Sequence, residues 1–164
     1  MDIEIRKINQ QDKEAFIELS LALTKFNKRQ HSKYYSNSQE FLEVRKQRVE
    51  ERFDKINQSP SKIIFIAFID NKPAGYIRAF TYDKKLRCGC LDELYLIEEA
   101  RGQGIGKKLL GAVTQWMAEQ KVIRMIVSVY LWNTPARKLY EEEGFLEYSS
   151  LYEKAIGTAV KLSK

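Results

Sequence analysis

The pattern of apolar residues predicts an α/β protein with a mixed central sheet of six or seven strands flanked by about four helices. Three observations lead there. Two stretches of helical spacing lie between a short first strand and a later β-rich run. That run folds back at Asp70-Asn71-Lys72-Pro73, a turn that makes an antiparallel hairpin. A strand, a helix and a strand then follow from Leu91 to Trp132, and such a unit is a right-handed parallel crossover.

The elements follow in chain order. Ile3-Glu4-Ile5-Arg6-Lys7-Ile8 mostly alternates apolar and polar and reads as a strand. Asp12 is placed to cap the next helix, whose Phe16, Leu19, Leu23 and Phe26 recur at helical spacing. A basic, aromatic connector runs from Asn27 to Tyr35. A second helix starts at Ser38, carries Phe41, Leu42, Val44, Val49 and Phe53 on or near one face, and ends before Ser59-Pro60. Ile63 to Ile69 and Ala74 to Tyr82 form the hairpin, and Leu91 to Ile97 is a further strand. From Gly104 to Glu119 a helix presents Ile105, Leu109, Leu110, Val113, Trp116 and Met117 as its apolar face. Val122 to Trp132 reads as a buried strand. Asn133 caps a last helix through Glu143, with Pro135 in its first turn and Gly144 at its end. Phe145 onward supplies one or two closing strands.

Composition narrows the class. A chain of 164 residues fits one domain, 1–164, and 44% hydrophobic residues suffice for a core. The formal net charge of +6 suits nucleic acid, an acidic surface or a polyphosphate, and equally a solvated basic face. Acids such as Glu141, Glu142 and Glu143 are interspersed with the bases, which argues against a nucleic-acid stripe. Cys88, Cys90 and the lone, distant His31 do not make a metal site or a disulfide framework. No signal peptide and no membrane span is legible, so a reducing cytoplasmic home without a membrane partner is expected.

The most informative segment is Arg101-Gly102-Gln103-Gly104-Ile105-Gly106-Lys107-Lys108, which follows a strand and opens a helix. First-turn amides of a helix lack internal partners, and the helix dipole places partial positive charge there. Alternating glycines let a ligand approach the backbone, while Arg101, Lys107 and Lys108 add full charges. The segment therefore suits a phosphate or pyrophosphate. The P-loop and the dinucleotide fingerprint both fail on glycine spacing. A turn that merely lets a helix pack closely would use the same glycines.

With that turn and the later Asn133-Thr134-Pro135-Ala136-Arg137-Lys138-Leu139-Tyr140-Glu141-Glu142-Glu143-Gly144-Phe145, the sequence resembles the GNAT superfamily, the Gcn5-related N-acetyltransferases. The matching blocks span about Leu91 to Phe145; the first half carries only an agreeing order of elements. The resemblance implies the acyl-CoA N-acyltransferase fold and an enzyme that moves acetyl from acetyl-CoA to a primary amine by direct attack, with no metal. It implies that backbone groups of Leu94, Tyr95 and Leu96 bind the pantetheine arm. Arg101, Gly102, Gln103, Gly104, Ile105, Gly106 and Lys107 would hold the pyrophosphate. Asn133 would contact the coenzyme arm, and Tyr140 would lie near its sulfur as general acid. A backbone N–H near Leu96 would polarise the acetyl carbonyl. Glu93 is chosen as general base by the same resemblance, with Asp92 expected on the opposite strand face by alternation. A core tyrosine and a strand carboxylate paired with a cation are the structural alternatives for Tyr140 and Glu93.

The resemblance sets the acceptor against the first two helices and their connector, near His31, Tyr34, Tyr35 and Phe41. Aromatic walls there suit an ammonium. Small-molecule amines and peptide N-termini stay open, a homodimer is compatible with the family, and a non-catalytic acetyl-CoA sensor is the alternative function.

Overall fold

Strand β1 (Ile3–Lys7) forms because Ile3 and Ile5 pack on one side while Glu4 and Arg6 pair on the other. The computed structural model describes residues 1–30, 39–83, 85 and 87–149. The remaining elements are α1 (Lys13–Gln30), α2 (Gln39–Asn57), β2 (Lys62–Ile69), β3 (Lys72–Asp83), β4 (Cys88–Leu96), α3 (Ile105–Glu119), β5 (Arg124–Val127) and α4 (Thr134–Glu142). Short 3-10 turns at Gln10–Asp12 and Glu98–Ala100 lead into α1 and follow β4. The sheet runs β1-β2-β3-β4-β5, antiparallel except for the parallel pair β4–β5. It is the mixed sheet expected, with a parallel crossover through α3.

The strands have an apolar core on each face. One core joins Ile63, Ala67, Ile77, Ala79 and Leu91 to Ile105, Leu109, Leu110 and Val113 of α3 and to Tyr140 of α4. The other joins Ile64, Ile66 and Tyr76 to Phe16 and Ile17 of α1 and Val49 and Phe53 of α2. Each fully buried Leu, Ile or Phe contributes roughly 1.5–3 kcal/mol. Phe16 sits edge-on to Tyr76 with centroids 5.1 Å apart, which ties α1 to the middle of the sheet.

Several boundaries differ from expectation. The β2–β3 connection is only Asp70-Asn71, both at positive φ (46° and 62°), so Lys72 and Pro73 already belong to β3. Pro73, which has no N–H to donate, lies beside a register shift in the hairpin. Asn9, not Asp12, is the capping residue, at the 3-10 turn that leads into α1: its side chain accepts from the Gln11 amide, while the Asp12 carboxylate accepts from the Asn9 amide and the two terminal guanidinium nitrogens of Arg6. Strand β5 stops at Val127 rather than Trp132. Beyond it the rings of Tyr130 and Trp132 stack at 5.3 Å, and Trp132 packs on Phe26 of α1. Five strands are present among the described residues, against six or seven expected; 145–149 are not strand, and residues 150–164 lie outside the description.

Candidate active site

The glycine turn enters α3 as its sequence requires. Gly102 and Gly104 both have φ of 74°, the left-handed region, and a Cβ on either would meet nothing. They are therefore glycines because of backbone conformation, not crowding. Gly106 has a different reason: a Cβ there would come within 3.3 Å of Leu139, so its small size lets α3 approach α4. The close-packing explanation thus holds for one glycine of the three. The first helical bond runs from the Lys108 amide to the Gly104 carbonyl, 3.1 Å. The amides from Gly102 to Lys107 have no acceptor among the described residues.

Side chains brace this turn. Arg101 donates from Nε to the Leu96 carbonyl (3.2 Å) and lies over the Phe26 ring, 4.9 Å from its centroid. Gln103 donates to the Glu99 carbonyl. Ile105 is fully buried in the α3 core. Lys107 pairs with Glu143 at 2.7 Å, which raises its pKa and links the start of α3 to the end of α4.

Strand β4 is paired on one side only beyond Leu91. Against β3 it continues to Leu96, through Ile77–Leu94, Tyr76–Tyr95 and Gly75–Leu96. Against β5 the ladder ends at Leu91–Val127. The backbone of Leu94, Tyr95 and Leu96 therefore has no β5 partner, and the strand leads from there to Arg101 and the glycine turn. Gly75 is needed here, because a Cβ on it would collide with the Tyr95 carbonyl and the Leu96 side chain.

A bulge corrects the expected placement of Asp92. Arg78 pairs with Glu93 and Ala79 with Leu91, so Asp92 is the extra residue and alternation slips there. Leu91 and Leu94 then both belong to the α3 core, whereas Tyr95 packs on the α1 side. Asp92 and Glu93, expected on opposite faces, share one guanidinium nitrogen of Arg78. Glu93, 11% exposed at its side chain, also accepts from Arg52 (3.0 Å) and from the Tyr76 hydroxyl (2.9 Å). Desolvation is the main reason that the Arg52 pKa falls, and the neighbouring Arg78 charge adds to it. Burial pushes the Tyr76 phenol well up.

Tyr140 lies on α4, 7% exposed, its ring 5.5 Å from Phe145. Burial pushes its phenol up to about 12, so it is protonated at neutral pH. No hydrogen bond reaches its hydroxyl among the described residues. Asn133 caps α4, its side-chain oxygen accepting from the Ala136 amide at 3.4 Å. Cys90 is raised to about 11, mainly by burial and then by Asp92, so it is a thiol at neutral pH. On the acceptor side, Phe41 lies in α2, while His31, Tyr34 and Tyr35 fall outside the described residues.

Sequence reasoning missed Arg52, Tyr76 and Arg78. Arg78 left a signal: a cation in the middle of Gly75-Tyr76-Ile77-Arg78-Ala79-Phe80 must be buried with a counter-charge. Phe26, in the sequence only one apolar position at helical spacing, contacts Tyr95, Trp132 and Arg101 together.

Known proteins resemble this chain in sequence and in fold. An uncharacterized N-acetyltransferase of Archaeoglobus fulgidus is 22% identical over 147 residues, 86% of this chain and 91% of its own. The spermine/spermidine N(1)-acetyltransferase of Bacillus subtilis is 39% identical over 56 residues, 34% of this chain and 37% of its own. The crystal structure of PaiA N-acetyltransferase from Thermoplasma acidophilum in complex with coenzyme A has the same fold, with a TM-score of 0.74 and 24% identity over 92% of this chain and 93% of that one. Residues 25–145 match the acetyltransferase (GNAT) family, and the chain belongs to that family.

Proposed function

We propose that the protein transfers acetyl from acetyl-CoA to a primary amine of a small molecule or peptide by direct attack. The observation that carries this reading is the run of unpaired amides from Gly102 to Lys107 beyond the part of β4 that has no β5 partner. Those amides and the α3 dipole would hold the coenzyme pyrophosphate. The open edge of Leu94, Tyr95 and Leu96 would bind the pantetheine arm as a neighbouring strand does. That edge leads the thioester toward Leu91 and Val127, with a backbone N–H near Leu96 as donor to the acetyl oxygen. Arg101 is more brace than ligand in this reading, since Leu96 and Phe26 already engage it. Lys107 reaches a phosphate only by sharing itself with Glu143. Asn133 shapes the start of α4 and has its amide nitrogen left for the coenzyme arm.

The amine must lose a proton and the thiolate must gain one. Tyr140, neutral up to about pH 12, is the acid for the leaving sulfur. Glu93 is the candidate base, acting through a water. Arg52, Arg78 and Tyr76 fix its carboxylate but also occupy lone pairs the water needs. The same carboxylate would serve as a strut for β4 if it takes no proton.

Amine-dependent release of coenzyme A thiol tests the reaction. In Tyr140→Phe the expected result is a fall of roughly a hundredfold in kcat with coenzyme affinity unchanged; full activity would remove the phenol from the mechanism. Glu93→Gln separates base from strut, since a base loses kcat and its pH-dependent limb while a strut loses mainly stability. Tight acetyl-CoA binding with no product across a broad amine panel would instead identify a non-catalytic sensor.

A further inference from the structure

A cavity lies away from the glycine turn, under α2. Its volume is about 430 Å³, and Arg48, Arg52, Lys55, Lys62 and Arg78 line it against two carboxylates, Glu51 and Asp92. Arg52 and Arg78 are engaged by Glu93 and Asp92. Arg48, Lys55 and Lys62 form no ion pair among the described residues. Glu51 is the one further acid in the wall, and it already accepts from Gln47. The cavity therefore has surplus positive charge over a partly buried floor. Arg78 is only 9% exposed, and its Nε is a buried donor without a hydrogen-bond partner among the described residues. A buried donor left unpaired costs about 1–3 kcal/mol. An anion in the cavity would offset the charge that Arg48, Lys55 and Lys62 leave unpaired, and with it the Arg78 repulsion that, after desolvation, lowers the Arg52 pKa.

Position gives this charge a use. Asp92 lines the cavity and directly follows Leu91, where β4 and β5 part. The glycine turn lies beyond the C-terminal end of β4, past Leu96, while Asp92 is in mid-strand. An anion in the cavity is thus not the coenzyme pyrophosphate, and it sits beside the point where the acetyl group would arrive.

We propose that this cavity binds an anionic group, carboxylate or phosphate, carried by the acceptor amine. The proposal rests on the transferase reading above and names its substrate class. Ammonium at the slot and anion under α2 would orient the acceptor at both ends. A polyamine, cationic along its length, meets repulsion from Arg48, Lys55 and Lys62.

The test compares β-alanine with β-alaninamide, and phosphoethanolamine with ethanolamine, with spermidine as the cationic reference. The anionic member of at least one pair is expected to have about tenfold higher kcat/KM, the scale of a partly exposed charge pair. The carboxylate pair and the phosphate pair separate the two sources of negative charge. In Arg48→Gln/Lys55→Gln/Lys62→Gln the ratio should fall toward one, while Lys7→Gln/Lys72→Gln, which removes surface charge elsewhere, should preserve it. Equal rates within both pairs, preference for spermidine, or a preference that survives the triple variant would overturn the proposal. Inorganic phosphate, titrated with coenzyme A at saturation, gives a readout without turnover: the Arg78 Nε–H resonance should move, and not in the triple variant. A resonance that stays still for phosphate and acetate alike would also overturn it. If the shift occurs while no amine is acetylated, the anion site stands and the transferase reading fails.

Discussion

The sheet separates two regions built on different principles. On the α3 side the core is apolar, and the candidate coenzyme site is made of backbone: unpaired amides at Gly102 to Lys107 and a strand edge left open past Leu91. On the α1 and α2 side, side chains from four elements meet: Arg52 from α2, Tyr76 and Arg78 from β3, Asp92 and Glu93 from β4, and Lys62 from β2. A backbone site needs only the right φ angles and glycine spacing, so one chain segment defines it. A side-chain site depends on which distant residues the fold brings together, and its charges must offset their own desolvation. The first region should therefore respond to changes in backbone shape, the second to changes in charge.

The largest effect expected is Arg78→Met. It removes the cation shared by Asp92 and Glu93 and leaves Glu93 with Arg52 and Tyr76 alone, at a cost of about 4 kcal/mol. Guanidinium denaturation measures it, and a loss under about 1 kcal/mol would mean that the network is solvated and the contrast between the faces is false. Next is Gly75→Ala, where the added methyl meets the Tyr95 carbonyl and Leu96. Displacing β4 should cost about 3 kcal/mol and weaken coenzyme binding as well. A change in stability with coenzyme affinity intact would separate the strand edge from the coenzyme.

The two regions were unequally legible in the sequence. The three-element signature from Leu91 to Gly144 could be read because caps, glycines and a parallel crossover are local rules: Gly104 at φ 74°, Asn133 as N-cap and Gly144 at φ 84° all follow from residue type. Glu93 could be picked out but not its partners, because Arg52 is far away in sequence and its approach depends on how α2 packs against β2 and the neighbouring sheet. The alternation rule failed at Asp92 for a physical reason: a bulge adds a residue to one strand only, and nothing in Leu91-Asp92-Glu93 announces it. The short β5 was hidden for a similar reason. Val127 to Trp132 is apolar enough for a strand, but Trp132 is used against Phe26 of α1, with Tyr130 stacked on it, rather than in a ladder.

A smaller effect tests charge on the α1 side by pH. Asp12 is nearly buried, and its hydrogen bond to Arg6 is the largest reason that its pKa lies below the ordinary 3.8. A depressed carboxyl stabilises the fold above its unfolded value, and that contribution fades as pH falls through the folded value. Asp12→Asn should therefore cost about 1.5 kcal/mol at pH 7. The difference from wild type should shrink below pH 3.8 and vanish at still lower pH. A difference that stays constant from neutral to strongly acidic pH would mean that shape, not charge, makes Asp12 useful.

The smallest effect isolates backbone shape on the α3 side. At Gly104 a methyl group would touch nothing, so Gly104→Ala tests the left-handed φ of 74° alone. The strain should cost about 1 kcal/mol, the penalty of holding an L-residue in that region. Asn tolerates the same region better, so Gly104→Asn should lose less than the alanine variant although its side chain is larger. Thermal unfolding ranks the two. The order asparagine above alanine identifies conformation as the reason for glycine at this turn. The reverse order would mean that added bulk is what the turn rejects, and the alternating glycines would then be explained by packing, as Gly106 already is against Leu139.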